Sequence, residues 1–248
     1  VENSKDFPEY ENQTYKGDRI KDPSIPWESI DEINKEVING LKNYSDFQVL
    51  RVPLCEADDI IAVLAKDCAD NNQECFIHSN DGDFVQSQTS CVHIFNPIKN
   101  AFHPEVNIEE YKKLHIMVAG DDNIKNIKRG IGDKKALKLL PTLEETLAID
   151  PEMRARFNFN KKLIDFEEIP EYIRTTIKDE WNIHKDKFNY NPMGLVKLFR
   201  KYSLNALGEK MMSFKLTDHS KETDLNMYYK RMKQVEEWSD NTLDAFFE

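Results

Sequence analysis

The chain has 248 residues, 40% hydrophobic and 32% charged, enough to bury one good core or one core beside a smaller helical domain. Its formal charge of -11 argues against indiscriminate nucleic-acid binding. It does not exclude a nuclease, because phosphate binding follows local potential and acids that hold metal inflate the charge of the metal-free chain.

No stretch approaches 18 apolar residues and no signal peptide is visible, so neither a membrane nor an export role is expected, and the setting is cytoplasmic. The chain opens at Val1-Glu2-Asn3 without an initiator Met and reads as if entered partway through a domain. Glu2 is either an acid at the end of a strand whose start lies outside the sequence or part of a frayed polar terminus. Residues 7–19 mix Tyr10, Tyr15, Lys16 and Arg19 with Pro8 and acids, as suits a surface segment with aromatic and basic contacts. Residues 22–26 are turn-forming, and 27–42 have helical spacing, with Trp27, Ile30, Ile33, Val37, Ile38 and Leu41 as the apolar stripe.

Residues 47–52 read as a strand that delivers the chain to Cys55-Glu56-Ala57-Asp58-Asp59. Three carboxylates there open a helix that runs through Cys68, anchored by Ile60, Ile61, Val63 and Leu64. An anion near a helix N-terminus is favourable by roughly 0.3 to 1 kcal/mol when exposed. That accounts for one or two acids; a third calls for a cation or a proton between like charges. After a polar turn, 74–78 is a second strand ending in Ser79-Asn80-Asp81-Gly82-Asp83-Phe84, and 92–96 is a third. Strands alternating with helices, with acids at or just after strand ends, predict an open, mostly parallel α/β sheet. Such sheets bind ligands beyond the carboxyl ends of their strands.

From Ile108 onward the pattern is mainly helical. Residues 108–118 lead into Gly120-Asp121-Asp122-Asn123, then the turn Gly130-Ile131-Gly132 and a lysine-rich helix from about Asp133 to Leu140. Between Gly120 and Lys138 six bases (Lys125, Lys128, Arg129, Lys134, Lys135, Lys138) stand against three acids. Arg154, Arg156, Lys161 and Lys162 form a second basic group. The glycine turn is either an ordinary helix connection or a place where backbone N–H groups at the following helix start hold a phosphate without base specificity. Residues 143–149, 157–163, 169–181 and 195–207 read as packed helices, with Leu195, Leu198, Phe199, Tyr202 and Leu204 as core contacts. A polar stretch, 217–222, precedes one more amphipathic helix over 225–238.

Glu56 and Asp58 cannot share a face of regular helix, but at a strand-to-helix junction both can converge on one centre, and Asp81 and Asp83 flank a glycine to the same effect. Hard divalent cations such as Mg2+ or Mn2+ favour carboxylate and water oxygens, and two of them about 3.5 to 4 Å apart activate water and stabilise a departing phosphate oxygen. Paired carboxylates alone also suit sugar hydrolysis; their company with basic, phosphate-suited loops favours phosphodiester hydrolysis. Asp59 has the plainer reading of a first-turn acid, and Asp83 that of a turn residue. His78, His93 and His103 lack a zinc motif's spacing. Cys55, Cys68, Cys75 and Cys91 lack the C-x2-C spacing and are expected as reduced, buried thiols. No Ser or Cys stands beside a His and an acid, so a covalent mechanism has little support.

Glu56-Ala57-Asp58-Asp59, Ser79-Asn80-Asp81-Gly82-Asp83-Phe84, and Gly120-Asp121-Asp122-Asn123-Ile124 leading to Gly130-Ile131-Gly132-Asp133-Lys134-Lys135-Ala136 together resemble the 5' to 3' exonuclease and flap endonuclease family. The nearest flavour is its bacteriophage ribonuclease H branch, over roughly residues 1–216, which would make the setting the host cytoplasm. The resemblance implies a PIN-like α/β nuclease core over 1–107 that lacks its first strand. It implies a helical DNA-binding domain with a helix-turn-helix phosphate-binding element over 108–216, and a C-terminal helix and tail over 217–248.

It further implies two Mg2+ (or Mn2+) ions, with Glu56 and Asp58 around the first. Asp81 and Asp83 would help hold the second, completed by Asp121 and Asp122. Glu56, Asp58, Asp81 and Asp83 are the implied catalytic set, and Glu2 resembles the acid, usually Asp, that ends an earlier family strand. The Gly130–Gly132 turn, flanked by Lys128, Arg129, Lys134 and Lys135, resembles the element that grips duplex DNA by its backbone, with K+. Tyr15, Lys16 and Arg19 would lie toward the arch through which a single-stranded 5' end passes. The chain departs from the family pattern twice: no strand bearing a catalytic Asp precedes Val1, and the family's Gly-Asp-x-x-Asp-Asn is contracted to Gly120-Asp121-Asp122-Asn123, so that one of the two acids is expected to reach metal.

The implied activity is metal-dependent hydrolysis of 5'-flap or nicked duplex DNA and RNA/DNA hybrids during replication. The other reading is a flap-DNA-binding replication subunit that keeps the fold and cannot cleave. Near the C-terminus Leu243, Phe246 and Phe247 resemble a sliding-clamp-binding peptide, with Asp240 in place of the usual leading Gln; the alternative is an aromatic turn docked on its own domain. No feature calls for a dimer, so a monomer is expected.

Overall fold

Helix α1 (Trp27–Tyr44) follows the apolar stripe and runs two residues beyond its predicted end. The structure, a computed structural model, describes residues 22–119, 124–187 and 189–208. It divides into two compact units, one of residues 34–105 with 170–248 and one of residues 1–33 with 106–169, the division falling inside α1. The helix expected over 225–238 lies outside the described residues.

The first unit is an α/β core. Helix α2 (Ala57–Asp70) buries Ala62, Val63 and Ala65, then a short turn carries the chain into strand β1 (Cys75–His78). A 3-10 segment (Gly82–Ser87) follows, anchored by Phe84 and Val85, and then strands β2 (Val92–Asn96) and β3 (Ala101–Phe102). The sheet order is β1-β2-β3. β1 and β2 are parallel, with Cys75 opposite Val92 and His78 opposite Phe95, whereas β3 is antiparallel to β2, with Phe95 opposite Phe102. The described sheet is therefore mixed, not mostly parallel. The cause is local: Asn96 Oδ1 accepts the N–H groups of Ile98 (2.9 Å) and Lys99 (3.0 Å), and Asn100 takes a φ of 52°, which together fold a tight hairpin.

Residues 47–52, expected as a strand, form no ladder among the described residues. Val52 is buried while Phe47 is 38% exposed, so the run works as an extended tether into α2. The alternation in β2 is real, since Val92, Ile94 and Asn96 all face the interior.

Helix α7 (Glu171–His184) packs on α2, burying Ile177 completely and pairing Lys178 with Asp67 at 2.8 Å. Helix α8 (Pro192–Lys201) buries Leu195, Leu198 and Phe199 against Leu41 and Tyr44 of α1, with Tyr202 and Leu204 beside them. The short α9 (Asn205–Gly208) follows. The carboxylate of Glu36 accepts from both Lys201 and the Tyr202 hydroxyl.

The second unit contains α3 (Ile108–Val118), α4 (Asp133–Leu139), α5 (Leu143–Ile149) and α6 (Pro151–Ile164). Met117, Ile127, Ala136, Leu143, Leu147 and Met153 form one core cluster and Ile116, Ala119, Ile124 and Ile164 another. Lys112 of α3 is buried with Asp165 and reaches Glu167, both at 3.2 Å. Burial works against its charged form, yet the hydrogen bonds it donates to the two carboxylates hold its pKa above the ordinary lysine value. Among the described residues no helix is long and apolar enough to cross a membrane.

Gly194 shows how closely α1 and α8 approach: a Cβ there would lie 2.5 Å from the Tyr44 ring. Gly194→Ala is expected to destabilise the protein by about 1–3 kcal/mol through overpacking, read as a lower urea midpoint. An unchanged midpoint would mean that Tyr44 moves aside without strain.

Candidate metal centre and phosphate-binding face

Only four residues connect α2 to β1, and the two elements pack on each other, so they run antiparallel. The N-terminus of α2 is thereby brought to the carboxyl end of β1. Glu56 and Asp58 enter from the helix side, Asp81 and Asp83 from the strand side.

Glu56 is the N-cap of α2, in a capping box with Asp59. The Asp59 carboxylate accepts the Glu56 N–H at 2.9 Å, so Asp59 is committed to the helix start, in line with its plainer sequence reading. Leu54, just before it, has a φ of 62° and is 98% exposed, which marks the tether into the cap as a tight bend.

Asp81 repeats this arrangement one element later. It is the N-cap of the 3-10 segment, its Oδ1 accepting the Asp83 N–H at 3.0 Å, while Ser79 Oγ accepts the Asp81 N–H at 3.1 Å. Glu56 and Asp81 are exposed; Asp58 and Asp83 are half-buried. Among the described residues no group of three His, Cys, Asp or Glu side chains is arranged to hold a metal ion. The donor chemistry of these four still suits a hard divalent cation, since every donor is a carboxylate oxygen and the Asp81 cap occupies only Oδ1. Glu2, Asp121 and Asp122, together with Tyr15, Lys16 and Arg19 and the tail residues Leu243, Phe246 and Phe247, lie outside the described residues.

Two histidines of this unit have structural partners. His93 Nε2 lies 2.9 Å from Glu74 Oε2 and its ring stacks on Phe76, while His78 packs on Phe95. His103 is held below the ordinary histidine pKa, chiefly by burial and then by Lys99. All four cysteines are free but half-buried rather than buried, because they fall at the edges of elements: Cys68 late in α2, Cys75 at the start of β1, Cys91 just before β2. Burial pushes the Cys75 thiol up to about 12 and raises Cys68 and Cys55 as well, so these thiols stay protonated and are poor nucleophiles.

In the helical unit the glycine turn is real. Gly130 has a φ of 82°, Asn126 Nδ2 donates to the Ile131 carbonyl, and the Ile131 N–H reaches Lys128 O at 3.1 Å. Gly132 caps α4, and a Cβ placed on it would meet nothing within 4 Å. Arg129, Lys134 and Lys135 are exposed. Lys128 is exposed too, but it pairs with Asp150 at 2.7 Å, and that hydrogen bond raises the lysine pKa and lowers the aspartate's. Asp150 also caps α6 by accepting the Met153 N–H at 3.0 Å.

Beside the turn opens a cavity of about 680 Å³ whose lining includes Lys125, Lys128, Arg129, Arg156, Asp150 and Glu152, an excess of bases over acids. Lys125 and Arg156 were not among the residues expected to bind nucleic acid. The acid-free basic run on α6 was the available signal for Arg156, whose guanidinium carbon lies 5.9 Å from the Phe159 ring centroid. Asp59→Ala is expected to cost about 0.5–2 kcal/mol of stability through loss of the cap, measured by denaturant unfolding. No loss would show that the box does not hold α2.

Residues 2–123 match the family described as "5'-3' exonuclease, N-terminal resolvase-like domain". Ribonuclease H of Enterobacteria phage T4 is 27% identical over 73% of this chain and 66% of the phage protein. The thermostable DNA polymerase I of Thermus thermophilus is 34% identical over 113 residues, 42% of this chain and 13% of the polymerase. The chain thus spans about two thirds of the phage protein's length and a small part of the polymerase's. The crystal structure of the T5 D15 protein, co-crystallised with metal ions, superposes with a TM-score of 0.55 at 19% identity, covering 73% of this chain and 79% of that one, a likeness of fold.

Proposed function

The chain belongs to the 5'-3' exonuclease and flap-endonuclease-like family, and from that membership we propose that it is a divalent-metal-dependent nuclease. Its reaction is hydrolysis of phosphodiester bonds at 5' ends and flap junctions, in DNA or RNA/DNA hybrids, during replication. What supports this reading is the family match over residues 2–123, together with a topology in which the start of α2, bearing Glu56 and Asp58, and the segment after β1, bearing Asp81 and Asp83, leave the α2–β1 layer at the same end.

In this reading the four carboxylates hold Mg2+ or Mn2+, which when bound supplies a lowered pKa for water and positive charge for the departing oxygen. The residues of the chain provide the placement. The capping box fixes the backbone of Glu56, and the Asp81 cap fixes the turn that carries Asp83, with Phe84 and Val85 buried beneath it. Arg129, Lys134 and Lys135 hold phosphates at the Gly130–Gly132 turn in helix-turn-helix fashion, with K+ as the monovalent cation. The space around Gly132 lets a sugar-phosphate strand approach the backbone closely. Helix α4 has only seven residues, so side-chain charge, rather than a helix terminus, is the main source of attraction. Selection is by duplex shape and backbone contacts, since the charged side chains meet phosphate rather than base edges. The tail bearing Leu243, Phe246 and Phe247 tethers the enzyme to a sliding clamp.

Cleavage of an end-labelled 5'-flap duplex and of an RNA/DNA hybrid, with Mg2+ or Mn2+ and an EDTA control, tests the reading directly. Asp81→Asn keeps a side-chain oxygen to cap Asp83, so the fold should persist. Cleavage should fall by about 100-fold or more, the upper end of what even indirect partners of a metal cost, while flap binding is retained. Full cleavage by Asp81→Asn removes Asp81 from the site, and tight flap binding without any cleavage by the unaltered chain favours the binding-subunit reading. Neutralising Arg129 or Lys134 should weaken binding evenly across sequences and reduce the salt slope by about one each. A slope that does not change would exclude that residue from phosphate contact. A peptide of residues 238–248 should bind a sliding clamp in calorimetry, and no heat of binding would dismiss the tether.

A further inference from the structure

Asp150 meets two demands with its two oxygens. Oδ1 accepts the Met153 N–H at 3.0 Å and so caps α6, while Oδ2 accepts from the Lys128 ammonium at 2.7 Å. Both residues line the cavity of about 680 Å³ beside the glycine turn, together with Lys125, Arg129, Arg156 and Glu152. Lys135 brings a further base to the same turn, since a Cβ on Gly130 would lie 3.6 Å from its Nζ.

The cap does not require the charge of Asp150, because an amide or hydroxyl oxygen serves an N-cap about as well as a carboxylate. Nor does stability require it: Lys128 is exposed, and an ion pair open to water contributes little. Their hydrogen bond raises the lysine pKa and lowers the aspartate's, so both are charged at neutral pH. What the charge does is place an anion at Lys128 Nζ, inside a cavity otherwise dominated by bases. A carboxylate oxygen and a phosphate oxygen make the same kind of charge-assisted hydrogen bond to an ammonium.

We propose that Asp150 sets the affinity of this cavity for nucleic acid: it stands in for phosphate at Lys128, and a backbone phosphate displaces it from that ammonium on binding. This rests on the nucleic-acid-binding part of the reading above. The exchange leaves α6 capped, since the Met153 N–H is held by the other oxygen. The freed carboxylate recovers a cation from solution as the phosphate releases one, so Lys128 adds little to the salt dependence of binding while Asp150 is charged.

The test is a double-mutant cycle on the full chain, read by the fluorescence anisotropy of a labelled 5'-flap duplex in EDTA over a range of salt. Asp150→Asn keeps an oxygen for the cap and should tighten binding severalfold, with the slope of log K against log salt steeper by about one. Lys128→Gln should change the slope little in the unaltered chain and reduce it by about one in the Asp150→Asn background. Glu145→Gln, the same charge change on an exposed residue of α5 that does not line the cavity, should do neither. If Asp150→Asn does not fold, Asp150→Ser, which also caps, completes the cycle. Equal losses from Lys128→Gln in the two backgrounds, or an equal gain from Glu145→Gln, would overturn the exchange and leave the nuclease reading intact. Absence of duplex binding by the unaltered chain would overturn both.

Discussion

Residues 71–74 turn the chain back on itself between α2 and β1, and the geometry of the candidate metal centre follows from that reversal. Ala62, Val63 and Ala65 on one side and Ile77 on the other must leave water together, which fixes the helix along the strand. A helix and a strand joined by so short a link have little choice but to run antiparallel. The acids that open the helix are consequently delivered to the end where the strand releases its own, with no long-range pairing required.

Placing carboxylates there raises an electrostatic difficulty, which backbone hydrogen bonding relieves in part. Asp59 accepts the Glu56 N–H and Asp81 accepts the Asp83 N–H, so these acids satisfy donors that would otherwise be bare at helix starts. Each cap engages one oxygen of a carboxylate that has two. The same residue type can therefore shape the turn and offer an oxygen outward, and an amide substitution separates the two roles because it preserves the cap and removes the charge.

Periodicity made α2, β2 and α3 legible from sequence, each to within about two residues, because their buried faces repeat at 3.6 or 2; α1 was legible from the spacing of its apolar residues, although Gly40 is its one fully buried residue and Ile33 and Ile38 are exposed. It failed where pairing, not pattern, decides. Residues 47–52 have the composition of a strand and no ladder partner among the described residues, while Ala101–Phe102 is too short to show a period and exists because the Asn96 turn aims it at Phe95. The acid motifs could be read as candidates since their spacing is local. The buried hydrogen bonds of Asn160 could not be read that way, because they reach carbonyls 44 and 35 residues away. The engagement of Lys128 by Asp150 was equally hidden, lying across 22 residues.

That last pair bears on how, under the proposed function, an acidic chain would hold a phosphate backbone. Lys128 is exposed and Asp150 half-buried, and ion pairs open to water contribute little net stability because water solvates the ions well. A phosphate arriving near Arg129, Lys125 and Arg156 offers Lys128 a second oxygen acceptor at small cost to the fold, and Asp150 keeps its other function as the cap of α6. In the proposed reading local geometry would outweigh the net charge of -11, because at physiological ionic strength charges farther than about 8 Å are largely screened from the cavity. What a phosphate meets there is the nearby excess of base.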